Sequence, residues 1–130
     1  MPREVQSPAE WMRYARSDLA LATAAVSGEV MLESLCFHVQ QAVEKSIKAV
    51  LISRGIPFPR THNIDSLIGL LPVDVPLPPD DADVAELTEY SVTVRYPGLE
   101  EPISEDEYRE AVRLAEAVVK WAEEILRHGA

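Results

Sequence analysis

Four polar side chains, His38, Gln41, Lys45 and Lys48, follow one another at spacings of three, four and three. On an α-helix that spacing sets them in a single stripe. An imidazole, an amide and two ammonium groups in a row are donors that a helix can show to a partner or a ligand and, joined to an anchored guanidinium, to a phosphate. Arg95-Tyr96 offers a second element of the same kind. Its guanidinium can grip a phosphate with two parallel hydrogen bonds, beside a ring on which a base can stack. His62 adds a titratable group within residues 45 to 64, a stretch with Lys45, Lys48, Arg54 and Arg60 and no acid. Each of these has a plainer use. Helix lysines are usually solvated, a histidine after Thr61 can simply open a helix, and an arginine at a helix end can satisfy the last carbonyls. The candidate ligand-binding set is Arg95, Tyr96, Lys45, Lys48, His38, Gln41 and His62, and no residue is assigned a catalytic role.

Other chemistries are excluded by what the chain lacks. His38, His62 and His128 never pair at a spacing of four, so a zinc site made from them is not expected. The lone Cys36 excludes an intrachain disulfide and a multi-cysteine metal site, and it falls on an apolar stripe, where it reads as a small core residue. There is no Gly-rich phosphate loop, no dinucleotide fingerprint and no mark of a nucleophile elbow. No metal and no cofactor is expected. The net charge of -10 is uneven: residues 1 to 79 hold 7 basic and 8 acidic side chains, residues 80 to 130 hold 5 and 14. So acidic a chain is a poor general DNA binder, although one local anion site remains open to it. No stretch approaches the ~20 apolar residues of a membrane span, and the N-terminus lacks an apolar signal region. A cytoplasmic protein with no membrane association is the expectation.

The elements that position these residues are helices. At 130 residues the chain, 1 to 130, reads as one domain, and its 10 prolines divide it into helical segments. Ser7, Pro8 and Glu10 open a first helix, with Trp11, Tyr14, Ala15, Ala22 and Val26 inward and Gly28 as its stop. Asp18 lies on the same face, where it either meets a polar group of a neighbouring helix or lines a pocket. A second helix runs from about Val30 to Arg54. Cys36, Val39, Val43, Ile47 and Val50 form its apolar stripe, opposite His38, Gln41, Lys45 and Lys48. Phe37 and Ile52 edge the polar stripe. A strip of small residues, Ala42, Ser46, Ala49 and Ser53, would admit a close neighbour, including a second copy of the chain.

A short third helix begins near Thr61 or Asn63, with Ile64, Leu67, Ile68 and Leu71 inward. Residues 72 to 79 are a stiff proline connector. Asp80 or Asp81 caps a fourth helix carrying Val84, Leu87 and Val94, and Tyr96-Pro97-Gly98 turns the chain. Ser104 with Glu107 opens a long last helix running past Tyr108, Ala111, Val118, Ala122 and Leu126. No strand run competes. The expected fold is all-α, a four- to five-helix up-and-down bundle.

Trp11 with Ala15 and Asp18-Leu19, Cys36-Phe-His-Val-Gln-Gln-Ala-Val-Glu-Lys45, Gly55-Ile-Pro, Thr61-His62-Asn63, Leu67, Arg95-Tyr96-Pro97-Gly98 and Trp121 together resemble a HEPN domain, in order along nearly the whole chain. The Phe-His-x-Gln-Gln-Ala-x-Glu-Lys block and the Arg-Tyr-Pro turn carry the resemblance jointly. It implies a bundle similar to the substrate-binding subunit of nucleotidyltransferases and a homodimer with the polar residues near its cleft. It also implies a minimal nucleotidyltransferase as partner, in a toxin-antitoxin-like pair. Some HEPN domains bind nucleotides, and many others are metal-independent ribonucleases. The ribonucleases place a His after an Arg with four to six residues between them. Arg95 matches that Arg, but Glu100, Glu101 and Pro102 stand where the His belongs. Cleavage through a 2′-hydroxyl needs a titrating group at the bond. The resemblance therefore implies phosphate contact at Arg95 and not catalysis. The enzyme alternative is an RNA endonuclease in which His38 or His62 replaces the missing His.

Overall fold

The computed structural model describes residues 7–24, 29–91 and 102–128. Within them, five α-helices occur in the order α1 (Pro8–Thr23), α2 (Leu32–Ser53), α3 (Ile64–Ile68), α4 (Asp81–Ala85) and α5 (Glu105–His128), and a 3₁₀ turn over Glu86–Ser91 continues α4. Among the described residues there is no strand.

The helix ends follow from local chemistry. The Ser7 hydroxyl accepts from the Glu10 N–H at 3.1 Å, and Pro8 fits the first turn. Ser104 and Glu107 close a full capping box: the Glu107 carboxylate accepts from the Ser104 N–H at 2.9 Å, and the Ser104 hydroxyl from the Glu107 N–H at 3.1 Å. Asn63 caps α3 through the Ser66 N–H. α2 stops at Gly55, whose φ of 70° is the left-handed region that favours glycine. There the Ile56 N–H reaches the Leu51 carbonyl and the Gly55 N–H the Ile52 carbonyl, a Schellman closure. Asp80 departs from expectation. It precedes α4 but makes no side-chain cap bond. Its left-handed backbone (φ 55°) accompanies a carboxylate that lies 3.5 Å from Arg113 of α5 instead.

α2 is the central helix. Trp11 lies against Lys48, Tyr14 against Lys45, and Asp18 against both Lys45 and His38, so α1 and α2 run antiparallel. Tyr108 Oη donates to the Ala22 carbonyl at 2.6 Å and Arg16 pairs with Glu123, so α5 also opposes α1. α2 and α5 are therefore parallel, and α3, the proline connector and α4 carry the chain back between them. Trp121 locks that connector, its Nε1 donating to the Pro76 carbonyl at 2.9 Å.

The apolar stripe of α2 is the core: Cys36, Val39, Val43, Ile47 and Val50 are fully buried, with Leu51, Ile64, Leu67, Val84 and Val118 around them. Each large member contributes about 1.5–3 kcal/mol by leaving water. The small strip is buried too at Ala42, Ser46 and Ala49. It is covered within the chain, so it is not the close contact with a second copy that its residue types suggested. Tyr14 is a second correction. Expected inward, it is 43% exposed, because α1 turns Met12, Ala15 and Ala22 to the core and leaves the Tyr14–Asp18–Leu21 line at the edge facing α2. Val26, Gly28, Val94 and residues 95 to 98 lie outside the described residues.

Candidate functional site

The polar stripe of α2 is not an open row of donors. It meets α1 on one side and the loop of residues 56 to 63 on the other, and two carboxylates organise it. Asp18 of α1 takes the first group: Lys45 Nζ donates to Oδ2 at 2.7 Å, and His38 Nδ1 lies 3.0 Å from Oδ1. Glu44 of α2 takes the second: Lys48 Nζ donates to Oε2 at 2.6 Å, His62 Nδ1 lies 2.9 Å from Oε1, and Gln40 donates to Oε1 at 3.0 Å. Gln41 joins this group, donating to Gln40 at 2.8 Å and to Glu44 at 3.3 Å.

The spacings explain the arrangement. Gln40, Glu44 and Lys48 are four apart on one helix, and His38 and Lys45 are seven apart, with one carboxylate of the facing helix between them. The loop is held by the same network, since Gln40 also donates to the His62 carbonyl at 3.3 Å. Aromatic rings alternate with the charges. Lys48 Nζ lies 5.7 Å from the Trp11 ring centroid and 5.4 Å from that of Phe58, and these rings meet edge to face at 6.4 Å. Lys45 Nζ lies 5.9 Å from Tyr14, and Phe37 meets His38 edge-on at 5.3 Å.

Burial separates the two groups. Glu44 is 3% exposed and Lys48 7%, so Lys48 is not the solvated lysine its place on the stripe suggested. A buried ammonium is tolerable here because a carboxylate and two ring faces replace its water. Burial pushes the Glu44 carboxyl upward, but hydrogen bonds from Lys48, His62 and Gln40, with the Lys48 charge, outweigh this and hold it below its ordinary value. The Asp18 group lies nearer the surface, with His38 and Lys45 both partly exposed.

The structure thus brings His38, Gln41, Lys45, Lys48 and His62 into one ribbon along α2. Arg95 and Tyr96 lie outside the described residues. Sequence reasoning singled out neither Glu44 nor Gln40. The signal was a Gln-x-x-x-Glu-x-x-x-Lys ladder at helical spacing, hidden between two stripes. Asp18 turns out to meet polar groups of a neighbouring helix, and Tyr14 was placed on the wrong side. Among the described residues no group of three or more ligating side chains is arranged to hold a metal ion, and no helix is long and apolar enough to cross a membrane.

Comparison with known proteins fits this geometry. The family model for the HEPN domain matches residues 8–125. The crystal structure of TT1696 from Thermus thermophilus is similar to this chain at 29% sequence identity, covering 92% of this chain and 98% of that one, with a TM-score of 0.76. No curated protein matches. The family match spans most of the chain, from the start of α1 nearly to the end of α5, and takes in the whole ribbon: this chain belongs to the HEPN domain family.

Proposed function

We propose that the protein is a non-catalytic HEPN module that binds a nucleotide or a nucleic-acid end, works as a homodimer in the cytoplasm, and serves a separate minimal nucleotidyltransferase in a toxin-antitoxin-like pair. One observation carries the binding reading. Lys45 and His38 share the Asp18 carboxylate at the edge of α1 and α2, with the exposed Tyr14 ring beside Lys45. Donors next to a ring are what a nucleotide needs: charge-assisted hydrogen bonds for its phosphate and a face for its base. Arg95, by resemblance, contacts phosphate, and Tyr96 stacks on a base or shapes the turn beside it. The homodimer is supported by the resemblance and by Leu21, exposed on the line of α1 that holds Asp18. A second copy laid there would take its apolar surface from water. The nucleotidyltransferase partner rests on the resemblance alone.

Isothermal titration with nucleotides, comparing the wild type with Arg95→Ala and Lys45→Gln, tests this reading. A loss of at least tenfold in affinity in each variant is expected, and unchanged binding in Arg95→Ala removes Arg95 from the site.

One contact favours the ribonuclease alternative. Asp18 fixes His38 through Nδ1, the way a carboxylate orients a general base, leaving Nε2 for a 2′-hydroxyl. Cleavage of an RNA oligonucleotide that His38→Ala abolishes would replace the binding reading with this one.

A further inference from the structure

The two carboxylates that build the ribbon also limit what it can hold. Both oxygens of Asp18 are engaged, one by Lys45 and one by His38. Glu44 is engaged by Lys48, His62, Gln40 and Gln41. With neutral imidazoles the two lysines and the two carboxylates cancel, inside a chain of net charge -10. Lys48 is further removed from any ligand by burial and by the Trp11 and Phe58 rings. The accessible donors are Lys45 and His38, and each phosphate oxygen that takes one must compete with Asp18. Among the described residues the cations left to meet further charge are few. Arg13 lies 5.2 Å from the Tyr14 ring centroid but is paired with Glu10 at 3.0 Å, and Arg60 is exposed on the loop between Phe58 and His62. A triphosphate would bring more negative charge than this set can neutralise, against the field of an acidic protein. Tyr14, by contrast, is an exposed ring with Arg13 at 5.2 Å and Lys45 at 5.9 Å from its centroid, and base stacking on such a ring is worth about 1–3 kcal/mol.

We infer that the ribbon selects a nucleoside bearing a single phosphate, by stacking on Tyr14 and one phosphate contact at Lys45 and His38, and discriminates against triphosphates. The ligand is a free mononucleotide or the phosphorylated end of a strand. This inference rests on the binding reading above and adds the charge class of its ligand.

The test uses the wild-type protein at fixed ionic strength, titrated with adenosine, AMP, ATP and a 5′-phosphorylated RNA trinucleotide. AMP is expected to bind at least tenfold more tightly than ATP and at least tenfold more tightly than adenosine. Tyr14→Ala, a change at an exposed position, should weaken AMP at least fivefold. A trinucleotide tighter than AMP identifies a strand end as the source, and a weaker one the free mononucleotide. ATP binding as tightly as AMP, or adenosine doing so, overturns the inference while leaving the binding reading intact. Binding of none of the four overturns both.

Discussion

The Asp18 and Glu44 groups contain the same parts, a carboxylate, a lysine and a histidine, and differ in where the carboxylate stands. The Glu44 side chain is on the central helix under the loop of residues 56 to 63, 4% exposed, with four side chains donating to it. The Asp18 side chain is on the outer helix, 13% exposed, with two. In the first, both oxygens are spent on holding α2, the loop and a buried lysine together. In the second, the partners keep open sides. The same ion pair is therefore a clamp at one end of the ribbon and the proposed site at the other, and exposure separates the two.

The largest effect should come from breaking the clamp. Glu44→Ala would leave the Lys48 ammonium buried without its carboxylate and strip His62 and Gln40 of their acceptor. A loss of about 3–5 kcal/mol is expected, read from urea denaturation as a lower midpoint. Glu44→Leu combined with Lys48→Met removes both charges and keeps the volume. It should recover most of that loss, since a buried pair contributes little net stability over well-packed apolar groups. If the double variant is as unstable as Glu44→Ala, the pair is not what the clamp depends on.

Acid should separate the two carboxylates next. The Glu44 carboxyl is held below its ordinary value of 4.5 by its donors. A depressed carboxyl contributes stability in full above its unfolded value and loses it as pH falls through the lower folded value. The wild type should therefore lose stability on acidification below about pH 4.5 more steeply than Glu44→Gln, which has no such carboxyl to protonate. Denaturation midpoints at pH 7, 4 and 3 measure this, and parallel slopes would mean that Glu44 is not a source of the acid sensitivity.

The sequence and the structure agree where the physics is local. Ser7, Asn63, Gly55 and the Ser104–Glu107 box act within a turn of themselves, so the helix ends they mark are found within a residue or two. The stripe from Cys36 to Val50 is legible because apolar residues at helical spacing have one destination. The polar stripe was legible as a stripe but not as a buried one. Periodicity says which residues share a face, and only the facing helix decides whether that face meets water. Lys48 is buried because Trp11 and Phe58 happen to flank it, and Phe58 arrives from a loop whose path no periodicity fixes. Tyr14 failed for a related reason. It shares a line with Asp18, and that line borders the groove instead of filling it.

The smallest change in stability, and the sharpest probe of the site, is Asp18→Asn. The side chain is nearly isosteric, and its amide oxygen can still accept from one of its two partners. Both partners already see solvent, so the stability cost should stay near 1 kcal/mol or below. The charge consequence is larger than the structural one. Removing this carboxylate leaves Lys45 uncompensated and raises the formal charge of the ribbon by one. If Asp18 restrains the site by competing with phosphate, the variant should bind AMP more tightly than the wild type and show a narrower gap between AMP and ATP. If Asp18 instead positions Lys45 and His38 for the phosphate, the variant should bind AMP more weakly, with the gap unchanged. Titration of one variant with two ligands thus tells a competitor from a positioning residue, because the two roles move AMP affinity in opposite directions at nearly equal stability.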